Sequence, residues 1–148
     1  MSLKDKLNAD IKTALLAGDK TKAEVLKSIK SAILYEEVAQ KVREEGLSED
    51  KIEVVLAREA KKRGESAELY KKAGEEERAA TELKEKQIIE EYLPKQLSDE
   101  ELGAVVDEVI TGFGDNAQMG QVIGAVKSKV GTSADGSRVA AIVKSRLG

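Results

Sequence analysis

The sequence contains no cysteine, histidine or tryptophan, and it has a single proline among 148 residues. Without Cys and His, the chain cannot form disulfides, thiolate nucleophiles or imidazole bases, and it lacks the usual ligands of zinc, iron and copper. We therefore predict no metal site and no cofactor. Aromatic residues make up only 3% of the chain, whereas charged residues make up 36%. This composition is typical of helix-rich proteins and disfavours strands.

Long apolar segments are also missing. No apolar run approaches the roughly 20 residues that a helix needs to cross a bilayer. The chain begins Met1-Ser2-Leu3-Lys4-Asp5, which does not resemble the apolar region of a signal peptide. We expect a cytoplasmic protein that does not contact membranes.

The single proline, Pro94, separates two regions of different pattern. Proline donates no backbone hydrogen bond and disfavours the α conformation in the residue before it, so a helix that arrives through Tyr92 must end near Leu93. We interpret Tyr92, Leu93 and Pro94 as the start of a hinge. The predicted organisation is an N-terminal helical domain over residues 1–93, a hinge over 94–97 and a three-helix tail domain over 98–148.

The region before the hinge carries apolar residues at helical spacing in about four segments. Gly18, Gly46 and Gly74 each follow one of these segments and predict helix C-termini. Glu37 and Lys41 are expected to form an outward i,i+4 pair. The sequence thus predicts a bundle of about four helices arranged as long hairpins. Their expected spans are about 3–17, 19–45, 49–73 and 75–93.

The region after the hinge is predicted to form a compact three-helix bundle. Ser98 precedes Glu101 by three residues and follows the apolar Leu97, a pattern that predicts a capping box with a hydrophobic staple. Three apolar sets then follow the i, i+3, i+4, i+7 template. They are Leu102, Val105, Val106, Val109, Ile110 and Phe113; Met119, Val122, Ile123, Val126 and Val130; and Val139, Ile142, Val143 and Leu147. The predicted fold class is all-α throughout.

Three charged residues fall on apolar faces of the N-terminal helices. Glu59 and Arg63 lie within the stripe of the third helix, and Glu36 extends the stripe of the second. One interpretation is an anion-binding or acid–base cluster between helices. The other is a structural ion-pair network, in which Arg63 bonds to carboxylates while its long stem covers apolar neighbours. We favour the structural network.

Charge is unevenly distributed in the tail, although the chain as a whole has a net charge of -3. Every charged residue between Ser98 and Asn116 is acidic, whereas five of the six charged residues after Asn116 are basic. One interpretation is that these charges are solvated and suit the helix dipoles, with acids early and bases late. The other is that the basic residues bind nucleic acid, which we would then expect to occur on the tail.

Two glycines interrupt the middle helix of the tail, where each costs on the order of 1 kcal/mol relative to alanine. Gly120 and Gly124 share one flank of this helix with Lys127. Either a neighbouring helix packs closely against them, which we favour, or a ligand approaches the bare backbone there. No phosphate-loop pattern is present, and no serine or lysine has a partner that would activate it. We predict no catalytic residue.

Several motifs resemble those of the YqeY family, and the resemblance covers essentially the whole chain. They are Arg58-Glu59-Ala60-Lys61-Lys62-Arg63, Ser66 and Tyr70, the run from Glu90 through Tyr92-Leu93-Pro94 to Leu102, Met119-Gly120-Gln121-Val122-Ile123-Gly124, and Ala134-Asp135-Gly136. This family is similar to the C-terminal helical and tail region of the B subunit of the glutamine-dependent tRNA amidotransferase. The resemblance implies an all-helical N-terminal region followed by a small three-helix tail.

In that amidotransferase the equivalent tail contacts the tRNA body, and other parts of the enzyme use ATP and transfer the amide. The resemblance therefore implies a non-catalytic accessory protein that binds tRNA or associates with it. Relatives often carry Gly-Lys or Gly-Arg before Ala-Asp-Gly, where this chain has Thr132-Ser133, so a phosphate-facing charge is missing unless Arg138 replaces it. The candidate nucleic-acid-binding residues are Gly120, Gly124, Lys127, Asp135, Gly136, Arg138 and Lys144.

Two alternatives remain at this point. The protein is either a component of a carbon–nitrogen ligase that uses glutamine as amide donor on misacylated tRNA, or an adaptor that binds other proteins and no RNA. The first would need a partner that carries the active site, such as an amidotransferase or another protein that handles aminoacyl-tRNA. The second would use the long N-terminal helices.

Overall fold

The computed structural model describes residues 2–148, and they form seven α-helices. No strand occurs in this described part of the chain, which confirms the all-α prediction. Two short 3₁₀ turns, at Gly114–Asn116 and Gly131–Ser133, join the last three helices. The helices are α1 (Leu3–Leu16), α2 (Lys20–Ala39), α3 (Glu49–Lys72), α4 (Glu76–Glu90), α5 (Asp99–Phe113), α6 (Met119–Val130) and α7 (Gly136–Leu147).

The helices divide into two compact units, a larger one that contains α1 to α4 and ends at Leu93, and a smaller one that starts at Pro94 and contains α5 to α7. Each unit has its own apolar core. The core of the larger unit includes Leu7, Leu26, Ile29, Ile33, Ile52, Leu56 and Ile89. The core of the smaller unit includes Leu102, Val106, Val122, Val126, Val139 and Val143.

Glycines end two of the helices as predicted. Gly18 follows α1 with φ of 75°, and Gly74 follows α3 with φ of 77°. The amides of Asp19 and Glu75, one residue further on, donate to the carbonyls of Ala14 and Tyr70 at 2.9 and 2.8 Å. This is the Schellman arrangement, which requires a left-handed residue after the helix and therefore favours glycine.

The predicted C-terminus of α2 is wrong, because the helix ends at Ala39 and not near Glu45. Lys41 adopts a left-handed conformation with φ of 59°. The Val42 amide then donates to the carbonyl of Glu37 at 2.9 Å, which again closes a Schellman motif. The predicted outward pair of Glu37 with Lys41 is also wrong, since Lys41 lies outside the helix and Glu37 is buried, with 3% of it exposed.

Helix α4 ends at Glu90, three residues before the predicted position. The amides of Tyr92 and Leu93 donate to the carbonyls of Ile89 and Glu90 at 3.0 and 3.1 Å, so the chain tightens into i,i+3 turns before Pro94. Tyr92 is buried, with 5% of it exposed, and its hydroxyl donates to the Asp10 carboxylate. Burial and this hydrogen bond raise the pKa of Tyr92.

The predicted capping box at the start of α5 is confirmed. The Glu101 amide donates to the Ser98 hydroxyl at 3.1 Å, and the Ser98 amide donates to the Glu101 carboxylate at 3.1 Å. The hydrogen bond from the Ser98 amide holds the pKa of Glu101 below its usual value. Two members of the predicted stripes are exposed: Phe113 at the end of α5 and Met119 at the start of α6 are 36% and 43% exposed.

Candidate nucleic-acid interface

The glycines of α6 face open space. No heavy atom of residues 2–148 outside the neighbouring backbone lies within 4 Å of the position that a β-carbon would occupy at Gly120 or Gly124. The interpretation of these glycines as a close helix-packing seam is therefore wrong. The buried face of α6 consists instead of Val122, Val126 and Val130. Gly120 and Gly124 therefore expose a strip of bare backbone beside the apolar stripe.

Lys127 lies on the same side of α6 and extends towards the start of α7. Its Cε and Nζ atoms lie 3.1 and 3.2 Å from the position that a β-carbon would occupy at Gly136. Gly136 is the first residue of α7, and Asp135 before it caps the helix by accepting from the Ser137 amide at 3.0 Å. The absence of a side chain at Gly136 therefore makes room for the Lys127 ammonium group at a helix N-terminus.

Acidic residues of α5 neutralise most of the basic residues of α6 and α7. Lys129 pairs with Glu108 at 3.2 Å, and Arg146 pairs with Asp107 at 2.8 Å. Arg138 pairs with Asp99 at 2.8 Å. Three of the five basic residues that follow Asn116 are therefore paired with acids of α5. The sequence separates acids and bases along the chain, but the bundle brings them together.

Arg138 has a structural role as well as an ion pair. Its Nη2 atom donates to the carbonyl of Leu97 at 2.8 Å and to the Asp99 carboxylate at 2.8 Å. These bonds tie the segment before α5 to α7. Because the guanidinium is already engaged, Arg138 is a poor replacement for the phosphate-facing charge that Thr132-Ser133 leaves out.

Lys127 and Lys144 keep their charges available. Both are exposed, and neither forms an ion pair within residues 2–148. Lys144 lies two turns after Gly136 on α7, which places it roughly 12 Å further along the helix axis than the residue that Lys127 contacts. Of the seven candidate residues, the structure brings Lys127 against Gly136, next to Asp135, and leaves Gly120 and Gly124 on the same helix as Lys127. Lys144 lies further along α7, and Arg138 forms an internal contact.

The charged residues on the face of α3 form a polar cluster with α2 and α4. Arg63 lies 3.4 Å from a carboxylate oxygen of Glu59 and 3.8 Å from one of Glu85, and it donates to the Ser28 hydroxyl at 3.1 Å. Its Nε atom is buried without a hydrogen-bond partner among residues 2–148. Burial, and then the neighbouring Glu82, raise the pKa of Glu85.

Glu36 does not belong to this cluster. Its carboxylate accepts from Gln40 at 2.7 Å and from Arg58 at 3.2 Å, and these hydrogen bonds lower its pKa. Glu36 thus forms an ion pair between α2 and α3, but with Arg58 and not with Arg63. Glu36 and Arg63 lie on neighbouring helices, but each bonds to a nearer partner.

The buried acid that the sequence analysis missed is Glu37. Its carboxylate accepts the Leu47 amide at 2.8 Å and a short hydrogen bond from Lys4. Burial alone would raise the pKa of Glu37, but the hydrogen bonds from Lys4 and Leu47 outweigh it and lower the pKa. One signal was available, since Glu37 continues the buried i,i+4 series of Ile29 and Ile33.

The predicted hinge connects the two units. On the N-terminal side, the ring of Tyr92 lies beneath Lys6, with the ammonium nitrogen 5.0 Å from the ring centre. On the C-terminal side, Gln96 donates to the Thr132 carbonyl at 2.9 Å, and the Leu97 amide donates to the Ser133 carbonyl at 2.8 Å. Pro94 and Lys95 are exposed. Within the predicted hinge over 94–97, Gln96 and Leu97 are thus hydrogen-bonded to the smaller unit.

Neither a metal cluster nor a membrane span is found in residues 2–148. No group of three or more Asp and Glu side chains is arranged to hold a metal ion there. None of the helices is both long and apolar enough to cross a bilayer.

A comparison with models of protein families shows which family the chain belongs to. A family model described as Yqey-like protein matches residues 4–147. The chain belongs to the YqeY family. This match confirms the resemblance that the sequence motifs indicated. A comparison with curated proteins gave no significant match.

Proposed function

We propose that this YqeY-family protein is a non-catalytic accessory protein that binds tRNA through its smaller helical unit. The proposed contact surface, which we call the glycine flank, consists of Gly120, Gly124, Lys127, Asp135 and Gly136, with Lys144 at its edge. Arg138 is left out because its guanidinium is already bonded to Leu97 and Asp99.

The observation that carries this proposal is the open space at Gly120 and Gly124. Two glycines inside a helix cost stability, and no neighbouring helix packs against them. A backbone without side chains, beside an unpaired lysine, lets a sugar–phosphate chain approach closely. The resemblance to the amidotransferase tail, which contacts the tRNA body, supports tRNA as the nucleic acid.

Retention of labelled tRNA on filters tests the proposal with three variants of α6. Gly124→Leu places a bulky side chain on the glycine flank and should weaken binding, whereas Gly124→Ala should weaken it less. Gln121→Leu is the matched control, because Gln121 is exposed on the same helix but lies on the other side of Gly124 from Lys127, about 120° away from that lysine. It should bind like wild type, and circular dichroism should show that all three variants keep their helicity.

Equal losses in Gly124→Leu and Gln121→Leu would place the contact elsewhere. A pull-down with and without ribonuclease addresses the competing functions. Partners that are lost on ribonuclease treatment agree with the proposal. Partners that persist unchanged would favour the adaptor or the ligase component.

A further inference from the structure

Exposed apolar side chains cluster on α2 in the larger unit. Leu34, Tyr35 and Val38 are 44%, 76% and 56% exposed. Leu34 and Tyr35 precede Val38 by four and three residues, so the three side chains share one face of the helix. Clusters of this kind mark interaction surfaces more often than isolated exposed residues do.

A groove runs beside this cluster between α1 and α2. It has a volume of about 380 Å³, and Leu34 belongs to both the groove and the exposed cluster. Leu7 and Ile33, each 1% exposed, contribute apolar surface at its base. The remaining lining residues are Lys4, Asn8, Lys30, Ser31 and Glu37. We call the groove together with Tyr35 and Val38 the α1–α2 face.

The charge that remains available on this face is positive. Glu37 is the only acid that lines the groove within residues 2–148, and its carboxylate is already bonded to Lys4 and to the Leu47 amide. Lys30 is exposed and forms no ion pair within the described residues. Lys27, which lies about one turn before Lys30 on α2, is also exposed.

An apolar groove bordered by exposed lysines favours one kind of binding partner. An apolar groove between two helices fits the apolar side of a third helix, whose anchors repeat at i, i+3, i+4 and i+7. Positive charge at its border favours acidic residues beside those anchors and opposes basic ones. A second copy that docks through the same face would bring two lysine-bordered surfaces together, which like-charge repulsion opposes.

We propose that the α1–α2 face docks an amphipathic helix of a partner protein, in which apolar anchors are flanked by Asp and Glu. The site lies in the larger unit and does not depend on the tRNA binding proposed for the smaller one. The protein would thereby have a protein-docking surface in addition to its nucleic-acid interface.

A pair of helical peptides tests the proposal by fluorescence anisotropy with the full-length protein. Both peptides carry leucines at i, i+4, i+7 and i+11; one has Glu at the flanking positions and the other has Lys. The Glu peptide should bind at least about tenfold more tightly than the Lys peptide. Val38→Glu should weaken binding of the Glu peptide by about tenfold or more. Lys30→Glu should reduce or reverse the preference between the two peptides.

Leu69→Glu is the matched control, because Leu69 is an exposed apolar residue on α3, 66% exposed against 56% for Val38, and does not line the groove. It should bind the Glu peptide like wild type. Equal binding of the two peptides, no binding of either near 1 mM, or an equal loss in Leu69→Glu would overturn the proposal. So would a dimer in sedimentation equilibrium that Val38→Glu dissociates, or tRNA binding that Lys30→Glu abolishes.

Discussion

The Nη2 atom of Arg138 donates to both the Leu97 carbonyl and the Asp99 carboxylate, each at 2.8 Å. One side chain of α7 thus fixes the chain where it enters α5. Removing it leaves the Leu97 carbonyl without this donor, so Arg138→Ala should lower the free energy of unfolding by about 1–2 kcal/mol. Lys144→Ala on the same helix should change it by less than about 0.5 kcal/mol. Urea unfolding followed by circular dichroism compares the two, and equal values would contradict the structural role of Arg138.

Arg63 should also contribute to stability. Truncation to alanine leaves the Glu59 and Glu85 carboxylates without their shared cation in a mostly buried position. We expect Arg63→Ala to destabilise the protein by about 1–3 kcal/mol. Lys62→Ala is the control, since the Lys62 side chain is 64% exposed and also pairs with Glu59. An Arg63→Ala protein that melts at the wild-type temperature but loses a ligand would identify the cluster as a binding site.

Glu37 should give stability that depends on pH. Its pKa is lowered in the folded protein, so its contribution is present above the unfolded value near 4.5 and is lost as the pH falls through the folded value. Glu37→Gln should therefore destabilise the protein at pH 7, by about 1.5–3 kcal/mol, and by progressively less as the pH falls below 4.5. Glu44→Gln in the exposed loop after α2 is the control. A loss for Glu37→Gln that does not change between pH 7 and pH 3 would argue against this account.

The glycines of α6 should be replaceable without harm to the fold. Gly124→Ala should raise the free energy of unfolding by about 0.5–1 kcal/mol, because the site is helical and the space is open. Gly131→Ala should lower it, since Gly131 has φ of 53°, where a side chain is strained. Thermal melts of both variants provide the measurement. If Gly124→Ala is destabilising, a contact at the glycine flank has been overlooked.

Much of the fold can be predicted from the sequence, because the residues that start and end most of the helices act locally. Glycine after α1 and α3, the proline before α5 and the Ser98–Glu101 box are all encoded within a few residues. The end of α2 is different. A lysine takes the left-handed position there. In the last turn of the helix, the Glu37 carboxylate bonds to Lys4 and to the Leu47 amide, which lie 33 and 10 residues away in the sequence.

The candidate site is less predictable for a related reason. Sequence spacing puts Gly120, Gly124 and Lys127 on one flank of a helix, but it does not say what that flank faces. Likewise, Asp99 and Arg138 are 39 residues apart, and only the packing of α5 against α7 brings their charges together. Tertiary pairing therefore reduces the number of available cations from five to two.

That reduction makes the salt dependence of tRNA binding the most direct test of the proposed function. With Lys127 and Lys144 as the two phosphate contacts, log K should fall with log salt at a slope of about -2. Replacing both by glutamine should flatten the slope, while Lys129→Gln, whose partner is Glu108, should leave it near the wild-type value. Filter retention of tRNA across a salt series measures all three proteins. The account predicts retention by the wild type at low salt with that slope, and retention no higher than that of an unrelated acidic helical protein would contradict it.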